Sequence, residues 1–177
     1  MIQVRSNVMA TPQSVSSSSE VLIRPAVENE AADIFRLISD NLAVGHLLPR
    51  SFDEVAIHIP RFLVAVGPTG IIACGELAEL SPRVAEVRSF VVSEQYRKQG
   101  FGKQLLTEIL AVARSQEFPL LCAFTHNPRT FIKLGFSIVP HHWIPEKVSI
   151  NCHSCVWFRR CHQYAVVFDL RSRKSQV

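Results

Sequence analysis

The residues best placed to do chemistry together lie in one stretch, Val87 to Leu106. Val87, Phe90, Val91 and Val92 make a dense, β-branched apolar run, which predicts a strand. A polar turn follows, then Gly100-Phe101-Gly102, then Leu105, Leu106, Ile109, Leu110, Val112 and Ala113 at helical spacing. Strand, glycine-bearing turn and helix form a seat for an anionic phosphate group. The first N–H groups of a helix have no partner inside it and carry the positive end of the dipole, so a pyrophosphate fits there. Gly100 and Gly102 let the backbone approach a ligand closely. Arg97, Lys98 and Lys103 supply positive charge beside it. The plainer alternative is a tight strand–helix turn that holds no ligand. A dinucleotide fingerprint is excluded, since Lys103 to Leu105 contain no third glycine.

A second group is Cys152-x-x-Cys155 with Cys161, flanked by His153 and His162. Cys152, Cys155, Cys161 and His162 satisfy the ligand count of a structural zinc site. Against it, Cys161 and His162 are adjacent, and neighbours on a strand point to opposite faces. Reduced thiols packed near the last strand, or a redox-labile trio, are the alternatives. Cys74 and Cys122 sit in apolar strands and read as core. His58, His126, His141 and His142 read as surface or loop residues, and Trp143 and Trp157 as core or as one wall of a pocket.

These groups need elements to position them. At 177 residues, one domain is expected, long enough to bury a real core. Hydrophobic content of 47% and charged content of 19% suit an ordinary globular protein. The net charge is +4, and Arg171, Arg173 and Lys174 carry most of it, so no clustered basic face points to nucleic acid. No apolar run approaches the length of a signal peptide core or a membrane span, so reduced thiols in a cytoplasmic protein are expected.

In chain order, residues 1–20 read as a disordered serine-rich tail and 21–170 as the domain, followed by a basic tail, 171–177. Strand Val21–Ala26 leads to a helix from Glu28 to about Asn41, stopped at Gly45. Ser51 and Glu54 make a capping box for a helix from Phe52 to about Ile59. Arg61–Val66 and Ile71–Leu80 form a hairpin across Gly67-Pro68-Thr69-Gly70, and the central strand is Val84–Val92. After the motif helix, Gln99 to about Gln116, come strand Leu120–Thr125 and a short helix, Pro128–Leu134, capped by Asn127. Strands Phe136–Val139 and Tyr164–Leu170 close the fold.

Arg97-x-x-Gly100-x-Gly102 after a β-branched strand, this element order, and Thr130 to Phe136 ending in Leu-Gly-Phe resemble the GNAT (Gcn5-related) N-acetyltransferases across about Val21 to Leu170. The resemblance implies an α/β (α+β) fold, a mixed central sheet of about seven strands with flanking helices. It places acetyl-CoA in the splay between central strands. Phe90, Val91 and Val92 would then present backbone to the thioester, and Arg97, Lys98, Gln99, Gly100, Phe101, Gly102 and Lys103 would hold the pyrophosphate. Asn127 and Phe131 complete the expected cofactor contacts. Many members carry a Tyr in the short helix after the fifth strand as acid for the thiolate; Phe131-Ile132 stand here.

Leu47 to Ser51, Glu86 to Ser89, and Ile144 to Lys147 with the following cysteines resemble the amino-acid N-acetyltransferase (N-acetylglutamate synthase) branch, in its stand-alone bacterial form. Larger members carry an amino-acid-kinase domain, for which this chain has no room, so feedback control by arginine through it is not expected. Acetyl transfer needs a neutral amine near the carbonyl carbon, a donor for the oxyanion and an acceptor for the amine proton. Glu86 is the candidate base, with an exposed carboxylate or a partner for Arg88 as the plain alternative. Arg50 and Arg88 are candidate forks for substrate carboxylates, with a solvated loop charge as the alternative for Arg50. Lys133 is expected to face water. The expected partner is a small amino acid, L-glutamate first, with a homodimer by analogy and no membrane or nucleic acid. Competing readings are another small amine or a protein N-terminus as acceptor, and a non-catalytic CoA-binding module.

Overall fold

The structure is a computed structural model and describes residues 21–42, 47–155 and 157–171. The expected tail over 1–20, the helix stop at Gly45 and the basic tail beyond Arg171 lie outside the described residues. The strands are β1 (Leu22–Pro25), β2 (Phe62–Gly67), β3 (Gly70–Ser81), β4 (Val84–Val92), β5 (Leu120–Thr125), β6 (Ser137–Val139) and β7 (Tyr164–Asp169). The α-helices that flank them are α1 (Ala31–Asp40), α2 (Phe52–Ile57), α3 (Phe101–Ser115) and α4 (Arg129–Lys133). All seven strands form one mixed sheet in the order β1-β2-β3-β4-β5-β7-β6.

The alternation of side chains along β2 shows how the two layers are built. Phe62 and Val64 pack with Ile34 and Ile38 of α1 and Val55 of α2 on one face. Leu63 and Ala65 pack with Leu105, Leu106 and Ile109 of α3 on the other. Each fully buried Ile or Leu contributes roughly 1.5–3 kcal/mol by leaving water. The ends of the elements follow local chemistry. Ser51 Oγ accepts from the Glu54 amide at 3.1 Å and starts α2. Pro60 then turns the chain out of α2 into a 3-10 turn, Ile59–Arg61, so the helix is shorter than its pattern suggested. At the start of α1, the Glu30 carboxylate accepts from the Val27 amide at 2.8 Å and pairs with Arg24 of β1 at 2.6 Å.

Two irregularities in β4 matter for the site. Glu76 of β3 faces Arg88, but Cys74 faces Val91, so Ser89 and Phe90 together oppose Gly75. This is a β-bulge, and Ser89 takes a left-handed φ of 47° in it. A Cβ on Gly75 would stand 2.8 Å from Ile109 and 3.2 Å from the Phe90 ring, so the bulged ring packs where only glycine leaves room. The second irregularity is a parting. β4 and β5 pair in parallel from Val84–Leu120 to Val87–Ala123 and no further, while β4 runs on to Val92.

The connection between β6 and β7 carries turns that the sequence pattern did not announce: helical Pro145–Lys147, Val148–Cys152 and Phe158–Arg160. Trp143 and Trp157 are 65% and 57% exposed, so neither is core. Trp143 lines a hollow with Gly135, Ser137 and β7, away from the parting of β4 and β5. Among the described residues, no helix is long and apolar enough to cross a membrane.

Candidate active site

The turn from β4 into α3 has the backbone form that the expected anion seat requires. Lys98 and Gly100 adopt φ of 64° and 93°, which aims the chain into α3 and starts the helix at Phe101. No side chain caps α3, so its first-turn amides stay available to an anion. A Cβ on Gly100 would meet nothing within 4 Å, and Lys98, Gln99 and Lys103 are exposed around it. Arg97 does something else. Its Nε donates to the Val92 carbonyl at 3.0 Å and a terminal nitrogen to Asn41 Oδ1 at 2.6 Å. Asn41, itself buried, donates to the Leu37 carbonyl of α1. The Arg97 guanidinium therefore ties the loop to α1 instead of standing free beside the anion seat.

Beside the parting of the strands lies a cleft of about 230 Å³. Its lining includes Arg50, Glu86, Arg88, Phe131 and Lys147, with His126 at the rim of β5. Phe131 of α4 is buried, its ring 5.7 Å from that of Phe90. Asn127 is exposed and accepts from the Arg129 amide at 3.3 Å, but the N-cap of α4 is Pro128, one residue later than expected, and no side chain caps the helix. Lys133 is exposed and does not line the cleft.

The two arginines expected to read carboxylates differ. The Arg50 side chain is 4% exposed and spends each of its nitrogens internally. Nε and one terminal nitrogen hold Glu54 at 3.0 and 2.9 Å, and the latter also meets His58 Nδ1 at 3.0 Å. The other terminal nitrogen donates to Glu76 and, at 3.0 Å, to Ser89 Oγ. Glu76 is fully buried, and its second oxygen has no hydrogen bond, with His58 Nδ1 3.8 Å away. Arg88 is the freer group: its side chain is 26% exposed, and its two acidic neighbours, Glu54 and Glu86, both stand at 3.8 Å. Those contacts lie outside hydrogen-bond reach, which leaves donors for a ligand.

Glu86 is neither exposed nor paired first with Arg88. It is 2% exposed, and Lys147 Nζ holds its two oxygens at 2.7 and 2.9 Å. Burial disfavours the thiolate form of both buried cysteines, Cys74 and Cys122. Burial pushes Cys74 up to about 12, with the Arg50 charge pulling the other way. Burial also raises Cys122, and the Glu86 charge adds to it.

Residues 31–136 match the acetyltransferase (GNAT) family, more than half of the chain. The chain belongs to the GNAT acetyltransferase family. An amino-acid acetyltransferase of Pectobacterium carotovorum is 31% identical over 137 residues, 76% of this chain and 31% of that protein. An uncharacterised N-acetyltransferase of Chlorobaculum tepidum is 27% identical over 153 residues, 86% of this chain and 99% of that protein. Among solved structures, N-acetylglutamate synthase from Neisseria gonorrhoeae, complexed with coenzyme A and N-acetyl-glutamate, superposes with a TM-score of 0.75 at 25% identity, covering 87% of this chain and 36% of that one. The chain thus spans about a third of the length of the amino-acid acetyltransferases that it resembles.

As a GNAT N-acetyltransferase that depends on acetyl-CoA, the chain has the expected loop, strand parting and sheet. The expected zinc set does not form. Among the described residues, no three His, Cys, Asp or Glu side chains gather as a metal site. Cys152 and Cys155 lie in one tight turn closed by a 3.1 Å backbone bond, whereas Cys161 and His162 are exposed past the next turn. Sequence reasoning missed Glu76, His58, Ser89 and Lys147. Glu76 had a signal, a carboxylate inside the apolar run Ile71 to Ala78. Lys147 stood only within the run Ile144 to Lys147 with no role of its own, and the fold brings it across 61 residues to Glu86.

Proposed function

We propose that the chain acetylates the α-amino group of an acidic amino acid, L-glutamate first, giving N-acetyl-L-glutamate as in the entry to arginine biosynthesis. The observation that carries this is Arg88: a guanidinium with donors to spare faces the same cleft as the buried Glu86 carboxylate, at the point where β4 and β5 part. An amino acid brings a carboxylate for the first and an amine for the second. The relatives named amino-acid acetyltransferase and the N-acetylglutamate synthase likeness support the same reading. Five free cysteines suit a reducing, cytoplasmic setting.

In this reading the seat at α3 holds the pyrophosphate, and the backbone of β4 beyond Val87 offers N–H groups to the thioester oxygen. The acceptor nitrogen attacks the carbonyl carbon, its proton passes to Glu86 directly or through a water, and the C–S bond breaks. Phe131 and Ile132 offer no proton, so either the thiolate leaves without a side-chain acid or a donor other than these two serves.

Mass spectrometry of products after incubation with acetyl-CoA and a panel of amines tests this. The panel holds L-glutamate, other amino acids, polyamines and a short peptide. N-acetylglutamate as the dominant product is the expected result; a dominant acetyl-polyamine or acetyl-peptide would discard it. One observation favours a second reading. Because Arg50 is spent internally, a single free arginine, Arg88, reads the acceptor, which suits an amino acid with one carboxylate. Acetylation of neutral amino acids at rates equal to glutamate would select that version.

A further inference from the structure

Lys147 comes from the β6–β7 connection and is 8% exposed. Its ammonium takes both oxygens of Glu86, donates to Asn151 Oδ1 at 3.3 Å and lies over the Phe124 ring at 5.5 Å. On the open side of the same carboxylate, Arg88 Nε waits 3.8 Å from Oε2. A buried ion pair adds little net stability compared with a packed apolar pair, because desolvation offsets the attraction. Its effect here is geometric. Without Lys147, nothing among these contacts keeps the carboxylate from closing the remaining gap to Arg88. That collapse would occupy the guanidinium and withdraw the carboxylate from the cleft in one movement.

We infer that Lys147 is a positioning residue that keeps Glu86 and Arg88 apart, so that one can take the acceptor's proton while the other reads its carboxylate. The inference rests on the roles given to Glu86 and Arg88 in the proposed function. It predicts a pattern that a merely structural lysine does not give.

The test compares Lys147→Met, Lys147→Arg, Arg88→Ala and the Lys147→Met/Arg88→Ala double variant, using an acceptor that the unaltered protein acetylates. Lys147→Met should lower kcat/KM for the acceptor about 100-fold, the effect of a reacting group misplaced by an ångström, and leave the KM for acetyl-CoA unchanged. Lys147→Arg should restore part of the loss. In the Arg88→Ala background, Lys147→Met should no longer raise the acceptor KM, because the collapse has lost its partner. A second measurement needs no turnover: modification of Arg88 by phenylglyoxal, followed by peptide mass spectrometry, should slow in Lys147→Met. Unchanged kcat/KM and unchanged Arg88 modification in Lys147→Met would overturn the inference. So would equal increases in the KM of both substrates. An unaltered protein that acetylates no amine overturns the proposed function alone, and the Arg88 modification rate then decides the role of Lys147.

Discussion

Arg50 donates to Ser89 Oγ at 3.0 Å across the bulge of β4, where Ser89 is held at a φ of 47°. The same guanidinium reaches the buried Glu76 of β3 and Glu54 of α2. One side chain thus fastens the loop before α2 to the bulge and to the neighbouring strand. The group that sequence reasoning offered to the substrate holds the cleft wall in place.

Arg50→Ala should therefore cost stability before it costs affinity. It leaves the Glu76 carboxylate buried without its cation, a change worth about 3–5 kcal/mol. Thermal unfolding should show a large drop in Tm, and Glu76→Gln in the same variant should recover part of it. An unchanged Tm with a raised KM for glutamate alone would return Arg50 to the substrate.

Arg88→Ala should behave in the opposite way. Its ion pairs are long and partly exposed, so their loss costs little stability. A charged hydrogen bond to a substrate carboxylate is worth about 1.5–3 kcal/mol, so the acceptor KM should rise roughly 10- to 100-fold. The KM for acetyl-CoA should stay put. Initial rates with each substrate varied in turn decide this.

Gly100→Ala tests the anion seat. The added methyl meets nothing within 4 Å, so the whole cost is the backbone's φ of 93°, about 1–2 kcal/mol for an L residue. Relief of that strain would move the loop. Calorimetry should find weaker CoA binding with unchanged binding of the acceptor. Equal CoA affinity in the variant would place the pyrophosphate elsewhere.

The Arg24 hydrogen bond holds the Glu30 carboxyl below its ordinary range, with burial opposing. A carboxyl depressed in the folded state adds stability above its unfolded pKa and loses it as pH falls toward the folded value. The unaltered protein should therefore lose Tm more steeply than Glu30→Gln as pH drops through the ordinary carboxylate range. Parallel curves would mean that the pair contributes nothing to the junction of β1 and α1.

The elements were legible because their signals are local. Val84–Val92 and Leu120–Thr125 were bounded by turns and filled with apolar residues, and the structure places both strands at those limits. Boundaries slipped where a backbone angle decided them, as at Gly100, which delays α3 to Phe101. The site was most legible where one stretch supplies it, although Arg50 and Phe131, from other stretches, also line the cleft. Glu86 and Arg88 lie on β4 beside the loop and do line the cleft. Lys147 and Glu76 owe their places to the sheet order and to a register shift at Gly75, neither of which leaves a periodic trace. The cysteine spacing suggested metal because spacing carries no information about which way side chains point.

Among the described residues, the parallel seam of β4 and β5 is the one strand pairing that joins two separate antiparallel blocks, β1 to β4 on one side and β5, β7 and β6 on the other. Only Val84 to Val87 and Leu120 to Ala123 are zipped. A cosubstrate lying in the unzipped part works as a splint across the two blocks. Occupancy at a hundred times the dissociation constant adds about 2.7 kcal/mol to the folded state. That gain should fall on the seam, making its amides the place where hydrogen exchange first registers that CoA has bound.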